Sequence, residues 1–579
     1  MRENPAIKAR FQPSRWHWLG LILLIALGGL YFYLMRPDVA GILYDDGMYL
    51  MSAKALASGH GYRLMGIEGQ PYFYKYPPLY PLCLAALWLI NPHFPANIVW
   101  LKAFNILLSL GTLNLLAYHF RRNLKFPAWL SLALVACFGL NFRFIDVSIE
   151  LMSEPLFMLL SVGALVLAHH YHANPEPLRP RQIGGLMLLS VAAYYTRSFG
   201  LVLVAALAIW LWIRKERKAA ILFATGCGLC MLPWVLWSGS RPDTTYAVGD
   251  FLVRTFQETY FQSFKMDLRY EYSFPELYSK GLQELIGNFS VQLFPMLEWF
   301  FRQKATIVSE SIIMGLSFGS LFLIGSRAYP LLKARQFSPS GLYISLYCLV
   351  LPCWSFFKFY PRFIIVILPF FLASCCLSLQ QIQRQKAFKT LTLILLPTLI
   401  ISTNTIHLWP YLQKPVPNTL LVNPYHDLWR DIELTSQFLS KNTPPDSLIY
   451  SSNRDENYLY ALFTSRTFPD FIPFYPKVLL DQHCPTLNRL CIQQHLQYQT
   501  ETLYHILQQK NVRYVIFSSY SIAKNKYNNW MFSTQSIPVN FELLKQHPLG
   551  FTQVMETPDG WISVYRFHPK TKPYPFKDR

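Results

Sequence analysis

Long apolar runs alternate with short polar stretches along the first 406 residues, and beyond residue 406 the pattern changes to shorter, mixed periods. A helix needs roughly 17 to 25 residues to cross a hydrocarbon core. Runs that meet or approach that length fall at 17–35, 96–120, 127–144, 155–171, 183–197, 199–213, 219–237, 308–326, 341–357, 362–379 and 388–406. One more apolar stretch, LYPLCLAALWLI at 79–90, is too short to cross. It predicts a helix lying in the interface, opened by Pro77 and Pro78, because a proline in a first turn forfeits no intrahelical hydrogen bond.

After the last run, LWRDIELTSQFLSKN (428–442) has apolar residues at helical spacing, SLIYSS (447–452) and VRYVIFSS (512–519) read as strands, and 498–510 reads as a second helix. Helix alternating with strand predicts a small α/β unit over 407–579. The chain shows no internal repeat, phosphate-binding loop or dinucleotide-binding glycine pattern, which argues against an ATP-driven pump and a soluble nucleotide-sugar enzyme.

Composition supports the membrane reading. Hydrophobic residues make up 52% of the 579 positions and charged ones 15%, values too apolar for one soluble domain of this size. The net charge of +20 does not signal nucleic acid, because Lys and Arg occur in short clusters between apolar runs. With Arg2, Lys8, Arg10 and Arg15 cytoplasmic, eleven crossings place the basic segments 121–125, 179–181, 214–218, 326–335 and 384–389 on that same side. Counting 79–90 as a further crossing would move them all outside. The expected protein is therefore multi-pass in the plasma (inner) membrane, with loops 36–95, 145–154 and 238–307 and the C-terminal region extracytoplasmic. The first run has the length of a span and no small-residue cleavage pattern after it, so it reads as a signal anchor.

Eight of the ten cysteines fall in or beside apolar runs and read as small packing residues. Cys484 and Cys491 lie in the exported region, where an oxidising compartment permits a disulfide between them.

The chemistry collects on the expected outer face. Asp45 and Asp46 follow the first run; one of them can be the N-cap of the helix GMYLMSAKALASG, but a cap needs only one carboxylate. Tyr72, Phe73, Tyr74, Tyr76 and Tyr80 suit an interfacial belt or a wall for a sugar ring, with Lys75 at headgroup level among them. Glu154 precedes Pro155 at the start of a run, where the helix dipole favours a carboxylate. Arg197, Lys358 and Arg362 run against the inside bias for basic residues and call for an anion, either a phosphate or one of these carboxylates.

The order DD, a helix ending in SGHGY, KYPPLYPL, SEPLF, YTRSFG and YPRFIIVILPF resembles the GT-C fold glycosyltransferases of the protein-O-mannosyltransferase and aminoarabinose-transferase superfamily, over roughly residues 17–406. The tail is similar to the small extracytoplasmic domain of many bacterial members. The resemblance implies a transmembrane catalytic domain over 1–406 that takes a sugar from a polyprenyl-phosphate carrier and passes it, with inversion, to a lipid, glycan or protein acceptor outside the membrane. It implies Asp45 as general base with Asp46 as its companion, Lys75, Arg197 and Arg362 on the donor phosphate, and Tyr74, Tyr76 and Glu154 toward acceptor or sugar. The chain departs from the aminoarabinose transferases in carrying Tyr74 where they have a glutamate before the lysine, and in having no histidine across 238–307. Their zinc set is thus missing and no cofactor is expected, a divalent metal elsewhere staying open. The competing reading is a transporter or flippase with an exported cap domain, which would place its coupling charges near the bilayer midplane.

Overall fold

The computed structural model describes residues 15–37, 39–41, 45–173, 176–240, 246–248, 251–254, 264–265, 268, 273–293, 338–354, 360–382, 386–412, 425–451, 454–464, 466–468, 472–474, 500–501, 503–518, 550–558 and 560–568. The expected run 308–326 and the Cys484/Cys491 pair lie outside them.

Helix α1 (Arg15–Leu34) leads into α2 (Asp45–Ala57) and α3 (Leu79–Ile90). The bundle continues through α4 (Ile98–Tyr118), α5 (Ala128–Gly139), α6 (Phe142–Ile149), α7 (Glu154–His172), α8 (Pro180–Thr196), α9 (Gly200–Ile213) and α10 (Arg217–Gly239). After α11 (Phe274–Leu293) come α12 (Pro339–Val350), the single turn α13 (Tyr360–Ile364), α14 (Leu368–Ile382) and α15 (Lys386–Leu412). Among the described residues α1, α4 with its continuation to Asn123, α7 and α10 are long and apolar enough to cross a membrane, and α5 with α6 form one further candidate bent by 63°. The aliphatic side chains that α1 and α10 leave exposed, such as Ile22, Ile25, Leu229 and Leu236, suit contact with lipid.

Three expected runs are not the straight helices that their apolar pattern predicts. The run 127–144 breaks at Leu140 and Asn141, because the Asn141 carboxamide oxygen accepts from the backbone N–H groups of Arg143 and Phe144 and so starts a new helix. The run 341–357 ends its α-helix at Val350 and continues as a 3-10 turn over Leu351–Cys353. The run 362–379 opens with the one turn of α13 and resumes only at Leu368. Hydropathy reports only that a segment is apolar, and these breaks leave it unchanged.

After residue 412 come α16 (Tyr425–Asn442), α17 (Arg454–Thr464) and a sheet of strands β3 (Ile449–Ser451), β5 (Tyr514–Ser518), β7 (Ile562–Phe567) and β6 (Phe551–Glu556) in that order. Strands β3 and β5 are parallel; the other pairs are antiparallel, with a bulge at Gln553–Met555. A smaller sheet joins β1 (Tyr246–Val248) and β2 (Phe251–Arg254) to β4 (Ile472–Phe474), tying the 238–307 segment to the C-terminal region.

The packing positions the site. One core runs through the helical bundle, from Tyr31 and Phe144 to Tyr347 and Phe371. A second core mixes α2 and α3 with C-terminal residues, joining Tyr49, Leu50, Tyr80 and Trp88 to Trp429, Leu459, Tyr460 and Phe468. The backbone confirms this union: Phe468 N–H donates to the Gly66 carbonyl at 2.8 Å, Glu68 N–H donates to the Phe468 carbonyl at 2.8 Å, and the Lys54 ammonium donates to the Leu462 carbonyl. Gly41, at φ +80°, would place any Cβ 2.4 Å from Leu459 Cδ2, so the approach to α2 is moulded against α17.

Candidate functional site

Five chain segments converge at the end of the bundle where α2 begins. Asp45 lies in the first turn of α2 and Glu154 in the first turn of α7, each in the positive field of a helix N-terminus. Arg197 is the residue at which α8 ends, and Arg362 sits on the single turn α13. Residues 71–78 between α2 and α3 bring in Tyr76.

The side chains form one connected cluster. The Tyr76 hydroxyl donates to Asp45 Oδ1 at 2.6 Å, and Arg362 Nη2 donates to Asp45 Oδ2 at 3.1 Å. Arg362 also holds Glu154 Oε1 through Nε at 2.9 Å and Nη2 at 2.7 Å. Arg197 Nη1 reaches the same Oε1 at 2.9 Å and donates to Ser153 Oγ at 3.0 Å, which in turn shares a hydrogen bond of 3.0 Å with the Tyr49 hydroxyl. Two carboxylates face two guanidiniums, so this set is neutral. Glu154 is fully buried and its Oε2 accepts no hydrogen bond among the described residues, whereas the side chains of Asp45 and Arg362 each keep 18% of their surface exposed.

The expected site residues do not all face this cluster. Asp46 is buried and turned away: its Oδ2 accepts from Gly41 N–H at 2.6 Å and its Oδ1 from Gly47 N–H at 2.9 Å. Both aspartates lie inside the helix, so Asp46 secures the loop entering α2 where an N-cap preceding the helix was the simpler expectation. Tyr74 packs in the bundle core, whereas Tyr76 belongs to the second core that reaches the C-terminal region. Lys75 is half-buried with Nζ 5.8 Å from the Tyr76 ring centroid. Arg197 and Arg362, expected on a phosphate, are each bonded to Glu154.

A supporting layer lies behind the cluster. Lys102 and Glu150 form an ion pair of 2.6 Å with Lys102 fully buried. Asn105 donates to the Glu150 and Met152 carbonyls at 2.6 and 2.9 Å, and its own oxygen accepts from the Tyr80 hydroxyl. These bonds fix the backbone just before Ser153 and Glu154. On the other side, the Tyr62 hydroxyl donates to the Tyr76 carbonyl at 2.9 Å; burial holds this phenol well above its ordinary range, so it stays a donor. Lys102, Asn105, Tyr49 and Ser153 escape the sequence reading. A lysine inside an apolar run is nonetheless a readable signal, since a membrane helix carries such a charge only with a partner or a function. Among the described residues no group of three His, Cys, Asp or Glu side chains is arranged to hold a metal ion.

No protein-family model and no curated protein matches the chain. Solved structures do. The archaeal oligosaccharyltransferase AglB from Archaeoglobus fulgidus, in complex with an inhibitory peptide and a dolichol-phosphate, matches with a TM-score of 0.52 at 11% identity, over 97% of this chain and 75% of that one. The Archaeoglobus fulgidus oligosaccharyltransferase in complex with zinc and sulfate matches with a TM-score of 0.51 at 12% identity, over 94% and 73%. The chain has the GT-C fold. ArnT from Cupriavidus metallidurans bound to undecaprenyl phosphate is matched over 95% of this chain and 97% of that one, with a TM-score of 0.49 at 9% identity. Its long apolar helices suit a membrane location. Within the GT-C bundle the Asp45 cluster occupies the mouth between α2, α7 and α13, with α8 closing its far side.

Proposed function

We propose that the protein is an inverting glycosyltransferase that moves a sugar from a polyprenyl-phosphate carrier to an acceptor hydroxyl on the extracytoplasmic side of the membrane. The observation that carries this reading is Asp45: a partly exposed carboxylate at the mouth of a GT-C bundle, held by a tyrosine hydroxyl on one oxygen and a guanidinium on the other. A carboxylate offers about four lone-pair directions, so both contacts leave room for an acceptor hydroxyl. Asp45 takes the proton of that hydroxyl as its oxygen attacks the anomeric carbon; the new C–O bond forms as the bond from that carbon to the phosphate oxygen breaks, and the carrier phosphate departs with the electron pair. Arg362 orients the base and is itself held by the buried Glu154, while Tyr76 faces the acceptor or sugar side.

The donor class is taken from the dolichol-phosphate in the AglB structure. Lys75, Arg197 and Arg362 supply the N–H donors for the donor phosphate. Residues 1–406 then form the catalytic membrane domain and 407–579 the extracytoplasmic domain, with the N-terminus cytoplasmic, as the distribution of basic loops supports.

The test uses purified protein reconstituted with a polyprenyl-phosphate-linked sugar and candidate acceptors, scored by release of polyprenyl phosphate. Asp45→Asn is expected to slow transfer by about 10²- to 10⁴-fold while donor binding persists. A wild-type rate in folded Asp45→Asn protein removes the general-base assignment, and absence of measurable binding of any polyprenyl phosphate removes the enzyme reading itself.

A further inference from the structure

At the opposite end of the bundle from Asp45, α1, α4 and α5 splay apart around a cleft of about 420 Å³. Its walls are mainly apolar, from Gly20 and Leu24 of α1, Ala117 of α4 and Leu132 of α5. Arg121 and Arg122, which follow α4, stand at its rim. Both are exposed, and Arg121 uses Nη1 to bond the Phe126 carbonyl at 3.1 Å. Inside the cleft Asn114 is exposed and makes no hydrogen bond with any described residue.

Each of these facts is costly without an occupant. A cleft of roughly 300 to 1,000 Å³ is the size of a small-molecule site, and on a membrane-facing surface it fills with a lipid chain. A carboxamide facing hydrocarbon with its donors unmet is unfavourable, so an exposed asparagine at that depth calls for an acceptor such as an acyl ester carbonyl. Two adjacent guanidiniums at the rim complement a phosphate, and a basic pocket between membrane helices is a recurrent way of holding an anionic headgroup.

We infer that this cleft is a binding site for an anionic phospholipid, with one acyl chain between α1, α4 and α5, its ester beside Asn114 and its phosphate on Arg121 and Arg122. The site is separate from the Asp45 cluster, and its occupant is a structural lipid of the leaflet facing the basic loops. Each arginine near a membrane surface contributes about five-fold in affinity, the pair about 30-fold.

The full-length protein in detergent is titrated with dioleoylphosphatidylglycerol and dioleoylphosphatidylcholine, and bound lipid is counted by native mass spectrometry. The wild type is expected to hold one phosphatidylglycerol in preference to phosphatidylcholine. The double variant Arg121→Gln, Arg122→Gln should lose that preference by about 30-fold. Gly20→Phe is aimed at filling the cleft while leaving both arginines, and a Cβ at Gly20 meets only Leu132 Cδ2 at 3.5 Å, an ordinary contact; it should lose the bound lipid as well. Equal retention of the two lipids by the wild type, or unchanged phosphatidylglycerol binding in both variants, overturns the inference. If Gly20→Phe lowers the unfolding temperature, Ala117→Trp, which enters the same cleft from α4, serves as the second filling variant, and unchanged binding there counts equally against it.

Discussion

Glu150 and Glu154 lie four residues apart, and both are buried in ion pairs, yet their surroundings differ. Among the described residues Glu150 forms its ion pair with Lys102, buried and with Arg36 close enough to act on its charge, and its backbone neighbours are locked by Asn105. Glu154 is shared by two arginines, one of which also reaches a carboxylate with surface open to the mouth. A closed pair offers nothing to a ligand and acts on shape. A cluster with open members has something to exchange, because a hydroxyl or phosphate arriving at Asp45 or Arg362 can enter the existing hydrogen bonds without unburying Glu154. Sealed charge sets geometry, and charge with an exposed edge is where chemistry is possible.

The largest contrast should come from one substitution on each side. Asp45→Asn keeps the side-chain shape and the Tyr76 contact and gives up only the part-exposed bond from Arg362, which Glu154 still holds, so unfolding temperature should change little while transfer falls by about 10²- to 10⁴-fold, equivalent to roughly 3 to 5 kcal/mol in the barrier. Lys102→Met should do the reverse through folding: it leaves Glu150 buried without its cation, a loss of about 3 to 5 kcal/mol that appears as reduced yield and a lower unfolding temperature. Adding Glu150→Met to Lys102→Met should recover most of that stability, since replacing both partners by apolar groups is often close to neutral. A Lys102→Met protein as stable as the wild type would show that the pair is not sealed, and the contrast with Glu154 would collapse.

How far this was readable from the chain follows the same division. The apolar runs fall on many of the described helices of the bundle but miss α11, which lies in the segment 238–307 that reads as a loop, and the excess of arginine on the expected outer face points to carboxylate or phosphate partners at 197 and 362. The pairing itself is not readable, because Arg362 and Glu154 are 208 residues apart and meet only when α7 and α13 share one end of the bundle. Lys102 is visible as a charge in an apolar run, but its partner is fixed by the turn after α6, which depends on the break at Asn141. The division of labour between Asp45 and Asp46 is also hidden. Adjacent helical residues point about 100° apart, and which of them faces the mouth is decided by Gly41 packed against Leu459. For the same reason a two-residue DD motif does not reveal which carboxylate is the base. The docking of α17 and Phe468 onto residues 66–68 is not readable locally, since it joins parts of the chain about 400 residues apart through a shared apolar core and backbone hydrogen bonds.

Smaller effects sharpen the boundary between the two regions. Tyr76→Phe removes one hydrogen bond to Asp45 and leaves the ring packed between Tyr49 and Phe73 at centroid distances of 5.2 and 5.6 Å. A hydrogen bond to a charged group contributes about 1.5 to 3 kcal/mol, so transfer should slow by about 10- to 100-fold with the unfolding temperature held. If Tyr76 only lined an interfacial belt, the rate would not move.

The smallest effect belongs to the pair that joins the C-terminal region to the first loop at the surface. Lys510 and Glu68 approach to 2.8 Å, with about a third of each side chain exposed. Solvent and salt screen such a pair, and it contributes about 0 to 1 kcal/mol. Lys510→Met should therefore leave both transfer and unfolding temperature near wild type, because the second core and the Phe468 backbone bonds hold the two parts together without it. A marked loss of activity in this variant, with stability intact, would mean that the C-terminal region reaches the Asp45 site through this contact, and the separation of structural from reactive charge would have to be redrawn to include it.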